Sequence, residues 1–200
     1  STKEAMNTLL KMLEEPEEGI YALFTAQNIN RVLPTILSRC QIIDIKPDSK
    51  EIIVKQLKNE NIPDDAANIL SFLTVDINEA RELYDERFEF MQVQVINFIE
   101  DLYFKRNNLI INTQTNLLKK YKERNDIKLF LNMLVLAMKD VFHVKHQQKI
   151  LYSKNIDLFK TIDVSVEYLI KQIELVLETI YVIESNANVA LLMDSLMYRL

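Results

Sequence analysis

Glycine is nearly absent from this sequence. The chain has 200 residues and one glycine, Gly19, where average usage would give roughly 14. Proline is scarce as well, with four residues. A phosphate-binding P-loop needs two glycines and a dinucleotide-binding fingerprint needs three, so this chain contains neither. The same scarcity argues against an all-β sandwich or barrel and predicts long helices joined by short polar connections.

Cysteine and excess positive charge are also lacking. Cys40 is the one cysteine, so no internal disulfide can form, and we expect a reducing, cytoplasmic location. The 24 basic residues are outnumbered by 29 acidic ones. The net charge of −5 predicts poor nucleic-acid binding by the chain alone, although it could belong to a larger assembly that binds DNA. No apolar run approaches the about 18 residues of a membrane span, and no signal peptide is recognisable.

Apolar residues, by contrast, are abundant and recur at helical spacing. They make up 48% of the chain, well above the level of a disordered protein. The spacing predicts a helix over residues 3–14 and a short helical segment, interrupted at Pro34, over 28–38. Two apolar runs, 20–25 and 41–45, are predicted as short strands of a buried parallel sheet. The remainder is helical throughout, with helices predicted at 49–59, 63–73, 77–86, 88–106, 109–122, 126–146, 155–160, 164–184 and 187–199.

Three sequence blocks in the first quarter of the chain form a specific pattern. They are Asn7–Pro16, which reads NTLLKMLEEP, then Leu33-Pro34-Thr35-Ile36, and then Ser38-Arg39-Cys40. In this order and spacing they resemble the clamp-loader branch of the AAA+ ATPases.

The resemblance implies a mainly α chain in three parts. Residues 1–47 would be the C-terminal part of an AAA+ α/β nucleotide domain, including two short parallel strands. Residues 48–86 would form a three-helix lid, and residues 87–200 a helical-bundle collar that mediates oligomerisation. The chain would then be the C-terminal portion of a longer protein, and the glycine-rich part would precede it.

The resemblance also implies roles for individual residues. Thr25 occupies or adjoins the sensor-1 position at the end of the first predicted strand. Arg39, flanked by Ser38 and Cys40, would act in trans as an arginine finger on the γ-phosphate of ATP held by a neighbouring subunit. A planar, always-charged guanidinium suits that task because it stabilises charge that spreads over the transferred phosphoryl oxygens. Taken without its flanking motifs, Arg39 would be a surface arginine paired with a nearby carboxylate.

In the lid, members of this family normally place a sensor-2 arginine or lysine just before an alanine. The alignment places Glu79 there, before Ala80, with Arg81 one position late. A carboxylate would repel phosphates, so the subunit should hydrolyse its own nucleotide poorly unless Arg81 substitutes. Asp76 is predicted to cap this helix.

The C-terminal third resembles the collar of the delta-prime branch of the family. The likeness rests on residues 134–160 and on Asn186-Ala-Asn188-Val-Ala-Leu191 before the last helix. Physically, an asparagine there can cap that helix, with Leu191, Leu192 and Leu196 packing inward.

This branch implies a non-catalytic subunit of a bacterial replicative DNA polymerase's clamp loader. The subunit would assemble a hetero-pentamer with the gamma/tau and delta subunits, which together load a sliding clamp onto primed DNA. The chain alone would bind no cofactor, because ATP would be held by a partner. Two alternatives stay open: the same region of the ATP-hydrolysing gamma/tau subunit, and an unrelated helical scaffold.

Two further patterns are interpreted as structural. His143 and His146 lie three apart on a predicted helix, but no carboxylate or cysteine cluster accompanies them, so no metal site is expected. The basic run from Lys119 to Lys128 is interpreted as a solvated face rather than a DNA contact.

Overall fold

The computed structural model describes residues 10, 12–13, 19, 21–26, 28–44, 48–185 and 188–200. The chain divides into two compact units, Ser1–Lys46 and Pro47–Leu200. The described residues are mainly helical, which confirms the predicted fold class. None of the helices in these ranges is both long enough and apolar enough to cross a membrane.

In the first unit, the described backbone consists of short helical turns between irregular segments. A 3₁₀ turn, Ile29–Arg31, follows Asn28, whose side-chain oxygen accepts a hydrogen bond from the Asn30 N–H at 2.9 Å. Helix α1, Pro34–Leu37, starts with proline, where a missing N–H costs nothing. The helix predicted over 3–14 falls mostly outside the described residues.

The two predicted strands are not formed within the described residues. Residues 21–26 and 41–44 are neither helix nor strand, and no backbone hydrogen bond joins them to other described residues. Tyr21 and Leu23 are 97% and 90% exposed. A parallel strand depends on hydrogen bonds to neighbouring strands and on helices that cover both faces. The strand prediction is therefore wrong here, because an apolar run does not by itself supply those neighbours.

The second unit begins with three short helices that pack on one another: α2, Lys50–Asn59; α3, Asp64–Leu73; and α4, Ile77–Leu83. Asp76 caps α4 as predicted, accepting hydrogen bonds from the N–H groups of Asn78 and Glu79. The bounds agree closely with the predicted helices, because apolar periodicity and cap residues both mark them.

The helix ends show how the chain manages with one glycine. After α2, the Ile62 N–H donates to the Leu57 carbonyl at 3.1 Å and the Asn61 N–H to the Lys58 carbonyl at 3.0 Å, a Schellman motif. Asn61 takes the left-handed conformation (φ 63°) that glycine usually fills. Gln147 does the same after the longest helix, with φ 54°.

The rest of the unit is a bundle of longer helices. Its first two are α5, Glu86–Phe104, and α6, Arg106–Asn112, which continues as a π-helical turn, Thr113–Leu118. The others are α7, Arg124–Lys145; α8, Ile156–Thr161, preceded by a 3₁₀ turn, Ser153–Asn155; α9, Val166–Ile183; and α10, Val189–Arg199.

Helix α7 is the centre of the bundle. It packs against α3, α5, α8 and α9. Its segment from Leu129 to Met138 is buried except at Asn132, so the helix is apolar nearly all round, as expected for one enclosed by others. Helix α9 contributes one apolar face, on which Leu169, Val176 and Ile183 are buried.

The last helix differs in one detail from the prediction. Asn188 caps α10 by accepting hydrogen bonds from two backbone N–H groups. Leu196 is buried, but Leu191 is 66% exposed. The buried stripe is Met193, Leu196, Met197 and Leu200, which has the i, i+3, i+4, i+7 spacing of a helix face.

Two buried carboxylates hold the segment between α7 and α8. Asp140 on α7 accepts hydrogen bonds from the N–H groups of Leu151 and Tyr152, each at 2.8 Å. Asp65 on α3 accepts from the Ser153 hydroxyl and from the Lys154 N–H. Both oxygens of Asp65 accept hydrogen bonds, whereas Asp140 accepts through Oδ2 alone and its buried Oδ1 accepts none. These bonds tie the first three helices to the bundle through this segment. The domain boundary near residue 86 stays a prediction.

Candidate functional site

The Ser38-Arg39-Cys40 motif follows helix α1 directly. Pro34 starts this helix, and Ile36 is its buried residue. The Arg39 side chain is exposed, and its Nη1 donates to the Thr35 carbonyl at 2.9 Å and to the Ser38 Oγ at 3.3 Å. The guanidinium thus folds back on the C-terminal end of the helix, where cations are favoured. Cys40 is partly buried and is a free thiol.

Thr25 lies in the irregular segment 21–26 and is exposed. The hydrogen bonds of the described residues do not connect it to Arg39. Both side chains are exposed. Their roles stay predictions.

The lid position predicted for sensor 2 carries a charge network of its own. Glu79 accepts a hydrogen bond from the Thr74 hydroxyl. Arg81 donates to both carboxylate oxygens of Glu60, from Nε at 3.0 Å and from Nη2 at 2.5 Å, and to Asn78 Oδ1 at 2.9 Å. This bidentate pair lowers the pKa of Glu60 and raises that of Arg81. Arg81 is thus held by hydrogen bonds to Glu60, at the end of α2, and to Asn78 on α4.

Helix α9 presents an apolar stripe on its outer side. Ile170, Leu177 and Tyr181 are 49%, 48% and 80% exposed and are spaced at i, i+7 and i+11. These three positions share one exposed face of α9, whereas another face of the same helix is buried against α7. An exposed apolar row of this kind is typical of a protein interface.

The two histidines contact different neighbours. His143 Nδ1 lies 3.6 Å from Asp140 Oδ1. His146 stacks on Phe142, with ring centroids 4.1 Å apart, and its Nδ1 lies 2.9 Å from the Phe142 carbonyl oxygen. Among the described residues no group of three or more candidate ligands could hold a metal ion.

One feature is not evident from the sequence. A groove of about 540 Å³ between α2, α3 and the segment after α7 is lined by four lysines: Lys50, Lys55, Lys58 and Lys149. Three of them lie on α2, but the fourth is about 90 residues away along the chain. Only the fold brings them together.

Comparison with known proteins shows which proteins the chain is similar to. A family model described as "DNA polymerase III, delta subunit" matches residues 1–49. The DNA polymerase III subunit delta' of Bacillus subtilis is 30% identical over 207 aligned residues, which cover 100% of this chain and 62% of that protein. This chain resembles the DNA polymerase III delta' subunits over its whole length. The delta' subunit of Haemophilus influenzae is 40% identical over 60 residues, 30% of this chain and 18% of that protein.

The match to delta' subunits is broader than the sequence motif. The delta' subunit of one Buchnera aphidicola strain is 29% identical over 119 residues, 56% of this chain and 35% of that protein. The chain spans less than two thirds of the length of each of these delta' relatives. The first 49 residues, where the family model matches, contain Thr25 and the Ser38-Arg39-Cys40 motif.

Proposed function

We propose that this chain comprises the end of the AAA+ domain, the lid and the collar of a cytoplasmic, non-hydrolysing clamp-loader subunit, and that it presents Arg39 to ATP bound by a neighbouring subunit. The observation that carries the proposal is the exposed Arg39 guanidinium at the end of α1, within the segment that the polymerase III family model matches. The chain has no phosphate-binding loop, so in this role it binds no ATP itself.

The geometry around Arg39 suits such a role. Two of its hydrogen bonds go to a backbone carbonyl and a hydroxyl, which are neutral acceptors on the same turn. Phosphate oxygens are stronger acceptors for a guanidinium, because the bonds are charge-assisted and can be bidentate. A neighbour's γ-phosphate would therefore draw Arg39 off Thr35 and Ser38. Thr25, as the sensor-1-like residue, would lie on the same unit.

The lid supports a subunit that does not hydrolyse ATP, rather than the gamma/tau subunit. A hydrolysing subunit would need a cation at the sensor-2 position, and Glu79 stands there. The nearest candidate, Arg81, is held by Glu60 and Asn78. Recruiting it would break a bidentate ion pair. The likeness to delta' subunits along the chain also disfavours an unrelated helical scaffold.

The bundle would be the collar, with the α9 stripe as its contact surface. Ile170, Leu177 and Tyr181 would pack against equivalent helices of the gamma/tau and delta subunits in a hetero-pentamer. The assembly would load a sliding clamp onto primed DNA.

The central experiment is Arg39→Ala in the full-length protein, reconstituted with its partner subunits. Removing an arginine finger typically costs about 10³- to 10⁵-fold in turnover at the site it serves. We expect the complex to assemble as the wild type does. Its DNA-stimulated ATPase rate should fall by the fraction of total turnover that the site served by Arg39 contributes. The ATPase rate with Arg39→Lys should fall nearly as far, since lysine keeps the charge but not the planar guanidinium.

Arg31→Ala is the matched control, because Arg31 is also exposed and lies on the neighbouring 3₁₀ turn. It should leave turnover unchanged. Equal ATPase rates for the wild type and Arg39→Ala would eliminate the finger assignment.

A second arm tests the collar surface. Tyr181→Asp should reduce co-elution with the partner subunits, because it places a charge in an apolar contact. Val93→Asp, at another exposed apolar position, on α5, is its control. If both variants assemble like the wild type, α9 is not the contact surface.

A further inference from the structure

The basic groove named above is built by three parts of the second unit. Helix α2 contributes Lys50, Lys55 and Lys58, helix α3 contributes Asn68, Ser71 and Phe72, and the segment after α7 contributes Lys149 and Leu151. Its volume of about 540 Å³ lies within the usual range for ligand pockets.

The groove has a positive charge in a negative chain. Of its lining residues, four are lysines and one, Glu51, is acidic, a net charge of +3. The whole chain carries −5. The groove is therefore locally positive, which the negative net charge of the whole chain does not reveal.

The lysines are only partly neutralised by the protein. Lys58 pairs with Asp64 at 2.8 Å, and the Lys50 ammonium lies 3.3 Å from the centroid of the Phe72 ring. The ion pairs and hydrogen bonds within the described ranges include neither Lys55 nor Lys149. Glu51 is charged at neutral pH, because hydrogen bonds from its backbone N–H and from Ser49, and then the charges of Lys149 and Lys50, lower its pKa. Set against the carboxylates of Asp64 and Glu51, the four lysines leave this surface with a net charge of +2.

The polar side chains on α3 have other partners. The Asn68 amide donates to the Asp64 carbonyl at 2.7 Å, and the Ser71 hydroxyl to the Asn68 carbonyl at 2.7 Å. The lysines are therefore the groups that the groove offers to a ligand, and its chemistry is recognition of negative charge.

The spacing of the lysines selects among polyanions. Lys50 and Lys58 are eight residues apart on α2, a rise of about 12 Å. A stacked nucleic-acid strand carries one phosphate per about 3.4 Å, so roughly four phosphates span this distance. An acidic peptide places carboxylates on one face only about every 5.4 Å in a helix and about every 6.8 Å in a strand. Three lysines along this length of α2, with Lys149 lining the same groove, match the phosphate density better than the carboxylate spacing.

We infer that the groove between α2 and α3 binds a single nucleic-acid strand through its phosphates, without sequence preference. Phe72, which is 49% exposed, forms the apolar wall beside the strand. The inference rests on the groove alone and does not need the Arg39 assignment.

The test uses the 200-residue chain and a dye-labelled oligothymidylate of twelve nucleotides, with fluorescence anisotropy as the readout. With two to three phosphates neutralised, the affinity should fall roughly 7- to 20-fold between about 50 mM and about 200 mM salt. The double variant Lys55→Gln/Lys149→Gln should bind at least tenfold more weakly at the lower salt. Its salt effect should shrink to less than about threefold, since two phosphate contacts are lost.

The control is Lys119→Gln/Lys122→Gln, which removes two exposed lysines from the more basic stretch of sequence outside the groove. It should bind within twofold of the wild type. All four positions are exposed, and unchanged circular dichroism confirms that each variant folds.

Four outcomes would overturn the inference. One is the absence of any anisotropy change at low salt, and another is equal weakening by both double variants. A third is displacement of the probe at lower concentration by a twelve-residue glutamate peptide than by unlabelled oligothymidylate, which would make the occupant an acidic protein segment. The last is displacement by free ATP as effective as by the oligonucleotide, which would mark a nucleotide pocket.

Discussion

Two regions of this chain use apolar side chains in opposite ways. In residues 28–44 one side chain, Ile36, is buried, and Leu33, Ile42 and Ile43 are 42%, 55% and 73% exposed. In residues 48–185 and 188–200, apolar side chains from the helices share one continuous core. The first region holds the residues proposed to act on a neighbour's ATP, while the second supplies the folding free energy. A region whose apolar residues are exposed is suited to contacts beyond its own core.

The largest expected effect on stability comes from comparing the truncation of one buried side chain in each region. Phe130 is fully buried on α7, with its ring 5.7 Å from that of Phe98 in an edge-to-face contact. Phe130→Ala should lower the free energy of unfolding by about 3–5 kcal/mol. Ile36→Ala should change the same helical transition by less than about 1 kcal/mol, since Ile36 lies in the other compact unit and outside the continuous core of the helices. Urea titration followed by circular dichroism measures both, and comparable losses would abolish the contrast.

A middle-sized effect is expected at Asp140. Its carboxylate accepts two backbone hydrogen bonds inside the second unit. Asp140→Ala would leave the buried N–H groups of Leu151 and Tyr152 unpaired and should cost about 3 kcal/mol. A loss of less than about 1 kcal/mol would mean that water replaces the carboxylate.

The same residue gives a pH dependence with a definite sign. Burial raises the pKa of Asp140 above its ordinary value, against the opposing effect of its backbone hydrogen bonds and of His143. The folded state therefore binds this proton more readily than the unfolded state, so the contribution of Asp140 to stability falls as pH rises from about 4 through the raised pKa. The stability advantage of the wild type over Asp140→Asn should shrink over that window. An advantage that grows with pH would show that the hydrogen bonds dominate instead.

The smallest effect compares two caps of similar chemistry. Asp85 accepts a hydrogen bond from the Phe88 N–H at 2.8 Å at the start of α5, and Asn28 does the same for Asn30 before the 3₁₀ turn. Asp85→Ala should cost about 1 kcal/mol of global stability. Asn28→Ala should leave the transition unchanged, because the turn it caps lies outside the core. Equal shifts in the urea midpoint would indicate that both regions unfold together.

Helical periodicity predicted the second region well. Every helix from α2 to α10 falls on a predicted range, and Asp76 caps its helix as expected. The reason is local: apolar spacing and cap residues are written within a few positions of each other. Leu191 is the exception, because an apolar residue in the first turn need not share the buried face.

Non-local features escaped prediction for the converse reason. The runs at 20–25 and 41–45 have strand-like composition, but a strand is made by its neighbours. The basic groove depends on Lys149 lying beside α2, which no spacing along the chain encodes. The stretch from Lys119 to Lys128 has more positive charge in sequence, yet the fold concentrates charge elsewhere. The roles of Thr25 and Arg39 rest on resemblance, and the Arg39 variants described above test the second of them.

The carboxylates of Asp65 and Asp140 join one short stretch of chain to helices from two parts of the second unit. Because the Asp140 bonds are buried and the Asp65 bonds are part-buried, a shift of α3 relative to α7 would break hydrogen bonds that are shielded from water. The three short helices and the bundle should therefore behave as a stiff lever. A force applied to α2 at the groove would turn α9 with it, because the joined helices would transmit the motion instead of bending at a hinge.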